Sequence, residues 1–149
     1  MTRDLSSLNT VAWIKEREEE AAAEQLAAAQ RQLDDELTRL EMLQSYAEDY
    51  RHSVAGPSRP LRQLRDSQRF HLELHDTLLL QQTAVAAARQ RVEAARAEWI
   101  SARVARGAIG KLIARRVDER NRERLRIEQR SSDDQTLRRS MRSSADELH

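Results

Sequence analysis

The stretch HLELH sets His71 and His75 four residues apart, so on a helix both imidazoles leave the same face and could share a divalent ion. Glu73, two residues from each, points elsewhere. Zinc sites take three or four protein ligands, and no further His or Cys lies at a suitable spacing. The favoured reading is two surface or seam histidines, with no metal and no cofactor.

A second candidate is residues 96–130, which carry 11 basic and 5 acidic residues and could track a phosphate backbone. The acids are interleaved, however, and no aromatic residue follows Trp99 to stack on bases. A solvated helix face set against acidic partners is favoured over a nucleic-acid partner. There is no Gly-rich phosphate loop and no nucleophile in a tight turn. A chain without a concave interior cannot desolvate and tune an acid or base, so the expectation is not an enzyme.

The elements that must position any site are helices. Of the 149 residues 34% are charged and 3% aromatic, with three Gly, two Pro and no Cys, and Ala, Leu, Glu, Gln and Arg dominate. That is the composition of long solvated helices. The N-terminus has no apolar run after Arg3, and nothing approaches the ~18 apolar residues of a membrane span, so a cytoplasmic protein is expected. Net charge is +1, but residues 1–52 hold 12 acids against 6 bases and the remainder 13 against 20, so the two halves are complementary.

From an N-cap at Ser6 or Ser7 no Gly or Pro interrupts the chain until SVAGPSRP. The spacing predicts one coiled-coil hairpin domain over 1–149: helix 1 at about 6–52, a loop at about 53–60, helix 2 at about 61–130, and a frayed or disordered tail at about 131–149. Gly56 is the expected helix stop, Ser58 the next cap with Pro60 in the first turn, and Ser132 with Gln135 a capping box in the tail. Gln81, Val85, Ala88, Val92, Ala95, Trp99, Ala102, Arg106, Ile109 and Ile113 follow a 4-3 seam. A short loop makes the helices antiparallel, with residue i opposite about 114 − i, which sets Leu40 near Leu74 and Leu33 near Gln81. The fold class is all-α, an antiparallel two-helix coiled-coil hairpin. Gly107 and Gly110 inside helix 2 cost about 1 kcal/mol each in propensity; a bend, a close approach or simple tolerance would all account for them.

Helix 1 carries more apolar residues than one face holds. Leu33, Leu37, Leu40 and Ala47 form one stripe, and Leu43, Tyr46 and Tyr50 a second about 100° round the axis. A hairpin cannot bury both, and an exposed apolar patch marks a partner. Phe70 and Leu74 lie within about 50° of the Val85–Val92 seam, so hairpin core and partner surface are both open for them.

LTRLEMLQSYAEDYR at 37–51, QRFHLELHDTLLLQQ at 68–82, the Trp of AARAEWISAR and the distal RIEQRSSDD resemble, in content and order, the bacterial flagellar export protein FliJ family. The resemblance spans nearly the whole chain and is most specific at the Leu-x-x-Tyr-x-x-x-Tyr-Arg ending of helix 1. It implies a non-enzymatic stalk, similar to that of rotary ATPases, that enters the export ATPase ring by its charged helix termini. It also implies contact with the membrane export gate and handling of empty substrate chaperones, with peripheral association at the cytoplasmic side of the inner membrane. The family's gate-contacting stripes fall here on Arg39, Leu43, Tyr46 and Tyr50, and on Phe70, Leu74, Thr77 and Gln81; the family often has Gln, Ala and His at Arg39, Thr77 and Gln81. The rivals are the equivalent stalk of a virulence type III secretion apparatus, a nucleic-acid-binding coiled coil, and a generic dimeric scaffold.

Overall fold

The structure, a computed structural model, describes residues 2–54 and 60–148. Two helices account for nearly all of them, α1 Thr2–Val54 and α2 Leu61–Glu147, and no strand occurs among the described residues. The chain is all-α, and the two helices pack on one another as an antiparallel hairpin.

Both helices outrun the boundaries expected from sequence. α1 begins upstream of Ser6, whose carbonyl accepts the Thr10 hydroxyl at 3.0 Å inside the helix. Asp4 stands in the first turn, where its charge opposes the positive end of the helix dipole. α2 opens at Leu61 because the Pro60 carbonyl accepts the first-turn amides of Gln63 and Leu64 at 2.9 and 3.2 Å. Pro60 therefore sits before the first turn rather than inside it; the expected stop at Gly56 and cap at Ser58 lie outside the described residues. Ser132 is not a cap, since its carbonyl accepts the Thr136 hydroxyl at 2.9 Å within an unbroken helix. No Gly or Pro follows Gly110, so nothing in the chain ends α2 at 130.

Polar residues inside the helices satisfy themselves locally. The hydroxyls of Thr38, Thr77 and Thr83 each donate to the carbonyl four residues back at 2.9–3.0 Å. A Cβ added at Gly107 or Gly110 would meet nothing within 4 Å, so neither glycine serves a close approach by the described chain.

The chain divides into two compact units, Arg17–Arg103, and Met1–Glu16 with Val104–His149. In the first, α1 contributes Ala22, Leu26, Ala29, Leu33, Glu36, Leu40, Leu43, Ala47 and Tyr50, an unbroken 4-3 alternation in which every residue is buried or half-buried. α2 answers with Ser67, Phe70, Leu74, Leu78, Gln81, Val85, Ala88, Val92, Ala95, Trp99 and Ala102. The buried core is thin, comprising Ala47, Leu74, Val85, Ala88 and Val92 among the described residues, with Ala88 the most enclosed at 1%. Two helices cannot surround a side chain, so most of the seam is half-covered.

In the second unit Leu5, Leu8, Ala12 and Lys15 of α1 and Ala105, Ile109 and Ile113 of α2 are half-buried. Arg106, a seam position by spacing, is exposed and reaches Glu16 on α1 at 3.5 Å. From residue 121 to residue 148 every residue is exposed.

Candidate partner-binding surface

The α1 seam decides what is left for a partner. Its 4-3 spacing passes through Glu36, a charged residue, beside the half-buried Leu37. The Gln81 side-chain amide donates to the Glu36 carboxylate at 2.6 Å and to the Glu36 carbonyl at 2.9 Å. Arg39 holds the other carboxylate oxygen at 3.1 Å from the solvent side. The Glu36 side chain keeps 15% of its exposure, so the carboxylate is drawn into the interface with its partners supplied.

With Glu36 in the seam, the stripe Leu43, Tyr46, Tyr50 does not stand apart from the packed face. Leu43 and Tyr50 are half-buried continuations of the seam, and only Tyr46 points out, 56% exposed. Tyr50 lies 4.6 Å from the Phe70 ring in a tilted contact, and its hydroxyl donates to the Ser67 carbonyl at 3.5 Å. Tyr46 meets the edge of Phe70 at 6.2 Å. The aromatic trio thus has an inner pair, Tyr50 and Phe70, and an outer member, Tyr46.

The remaining family-aligned positions divide the same way. Arg39 and Thr77 are exposed, Phe70 is half-buried, Leu74 is buried at 8%, and Gln81 is half-buried and bonded to Glu36. Leu74 is therefore hairpin core. Met42, which sequence reasoning passed over, is 67% exposed one turn from Tyr46. Arg39, Met42 and Tyr46 lie on one flank of α1 by helical geometry, and the i, i+4 spacing of Met42 and Tyr46 was the signal that could have found it.

The register departs from expectation in one direction. Gln81 meets Glu36 rather than Leu33, and Tyr50 reaches Ser67 where position 64 was expected. Long helical side chains lean toward their own N-terminus, so in an antiparallel pair each reaches toward higher numbers on its partner.

His71 lines an apolar groove of about 490 Å³ with Tyr50, Leu64 and Leu72, near the start of α2. Among the described residues no group of three or more His, Cys, Asp or Glu is placed to hold a metal ion. In residues 104–147, acids partner the arginines locally, Asp118 with Arg122 at 3.1 Å and Glu123 with Arg126 at 3.9 Å. Among the described residues no helix is long and apolar enough to cross a membrane.

A family model described as the flagellar FliJ protein matches residues 4–145. The chain belongs to the flagellar FliJ family, whose members are flagellar-export-related accessory proteins. Comparison with curated proteins and with solved structures gave no match.

Proposed function

We propose that this chain is a non-enzymatic coiled-coil stalk of flagellar protein export, coupling the export ATPase ring to the membrane export gate and handling empty substrate chaperones. The gate contact is centred on Tyr46, with Arg39, Met42 and Thr77 exposed around it and Leu43, Tyr50 and Phe70 at its edge. Leu74 and Gln81 act from beneath, fixing the two helices that carry the patch. The charged termini of the two helices enter the ATPase ring, and the protein works at the cytoplasmic face of the inner membrane without spanning it.

Family membership supplies the setting, and one observation carries the site. Tyr46 is the aromatic residue of the Tyr46–Tyr50–Phe70 cluster that meets the edge of Phe70 and is left 56% open to solvent. Large amphipathic rings at low entropic cost are what interface hot spots are made of. The test is a binding titration of the full chain against the isolated cytoplasmic domain of the export gate. Tyr46→Ala should keep its helicity and bind at least about tenfold more weakly. Unchanged gate binding by a folded Tyr46→Ala variant would sink the assignment of the patch; absence of wild-type binding would sink the gate reading itself.

A further inference from the structure

α2 carries a second run of large apolar residues outside the seam, which the hairpin leaves largely open. Leu64, Leu72 and Leu79 are 46%, 63% and 49% exposed. At 100° per residue they lie within about 80° of one another, with Leu72 almost opposite the α1 contact. Three large leucines left open on a helix face call for an occupant.

The charges beside them specify which. Arg69 and Asp76 lie seven residues apart on one flank of this leucine run, both are exposed, and neither makes an ion pair among the described residues. Place a second α2 antiparallel across the leucine face, with a two-fold axis at Leu72. Leu72 then meets Leu72 of the second copy, Leu64 and Leu79 meet each other twice, and Arg69 and Asp76 of the two copies fall opposite one another within one residue of the same register. A two-fold axis normal to the helix pair keeps each flank facing its own equivalent, so both ion pairs form on the same side. The leucines and the charges thus select the same partner and the same register. Leu72 and Leu79 stand outward, while Leu64 borders the groove that Tyr50 and Arg51 of α1 also line, so the second copy meets that edge of α1 at Leu64.

We propose that the Leu64–Leu72–Leu79 face is a self-association surface on which a second copy of this chain docks antiparallel. The dimer leaves Tyr46 and Met42 uncovered, so it is compatible with engagement of a partner there and does not rest on the gate reading.

Sedimentation equilibrium of the full chain over a wide concentration range tests this. The wild type should show a reversible monomer–dimer equilibrium. Leu72→Glu should abolish it with helicity retained. Arg69→Asp should weaken it about tenfold by placing like charges opposite one another, and Arg69→Asp/Asp76→Arg should restore it. A wild type that stays monomeric at high micromolar concentration overturns the proposal, as does a dimer that survives both Leu72→Glu and Arg69→Asp. Should Leu72→Glu fail to fold, the charge reversal and its rescue decide alone: a double variant no tighter than Arg69→Asp overturns the proposal.

Discussion

Residues 67–102 and 121–147 belong to the same helix, yet the first stretch packs and the second does not. Between 67 and 102 every third or fourth residue is buried or half-buried against α1, whereas from 121 to 147 all are exposed. Both contain arginine-rich, alanine- or serine-bearing sequence without proline. Helix formation is therefore common to the two, and what separates them is an apolar 4-3 run with something opposite it. Leu125, Ile127, Leu137 and Met141 are as apolar as the seam residues but follow no such spacing.

A carboxylate moved between the two stretches gives the widest contrast. Val85→Asp places a charge at a position 5% exposed with no partner, and should cost about 3–5 kcal/mol in urea unfolding. Leu125→Asp, at a position 63% exposed, should change the midpoint by less than about 0.5 kcal/mol. Equal losses would mean that the distal stretch packs on something.

A smaller effect comes from the charged layer of the seam at Glu36. Gln81→Leu leaves the Glu36 carboxylate without its 2.6 Å donor and should cost about 1–3 kcal/mol. The double variant Glu36→Leu/Gln81→Leu removes the need as well as the donor, and should return to the starting stability or exceed it. A double variant as weak as the single one would show that the layer stabilises the hairpin in its own right.

Next in size are the glycines. Because a Cβ at Gly107 or Gly110 meets nothing within 4 Å, alanine at either should raise helix stability by about 0.5–1 kcal/mol, read as increased helicity on heating. Smallest of all is the Glu16–Arg106 bridge, 3.5 Å long with both side chains about half exposed. Glu16→Gln should cost less than about 0.5 kcal/mol, and that difference should vanish in high salt.

The α2 seam from 81 to 102 was legible in the sequence because Val85, Ala88, Val92, Ala95 and Trp99 are apolar and evenly spaced, whereas beyond it Arg106 is exposed and Ala105 half-buried in its stead. The α1 seam was misread for a physical reason. Its layer at position 36 is a glutamate with an apolar neighbour, Leu37, so a reading by hydrophobicity shifts the stripe by one residue and strands Leu43 and Tyr50 outside it. Only the position of Gln81 across the interface shows why a carboxylate belongs there. For the tail, low apolar content speaks to packing and not to helix formation, so the sequence offered a short capped helix beside fraying; the structure continues α2 through it with every residue exposed. Of the surface around Tyr46, the tyrosine itself was legible from its excess over one face. The burial of Leu74 was not, since helical angle alone leaves core and rim open for it.

The central claim is that Tyr50 belongs to the hairpin seam and Tyr46 to its surface, although they sit one turn apart. Thermal unfolding of Tyr50→Ala and Tyr46→Ala, measured side by side by circular dichroism, tests it most directly. Tyr50→Ala should lose about 2–3 kcal/mol, a drop of roughly 4–12 °C, while Tyr46→Ala, giving up only an edge contact to Phe70, should lose under about 1 kcal/mol. Equal drops for the two variants, or a larger one for Tyr46→Ala, would contradict the account.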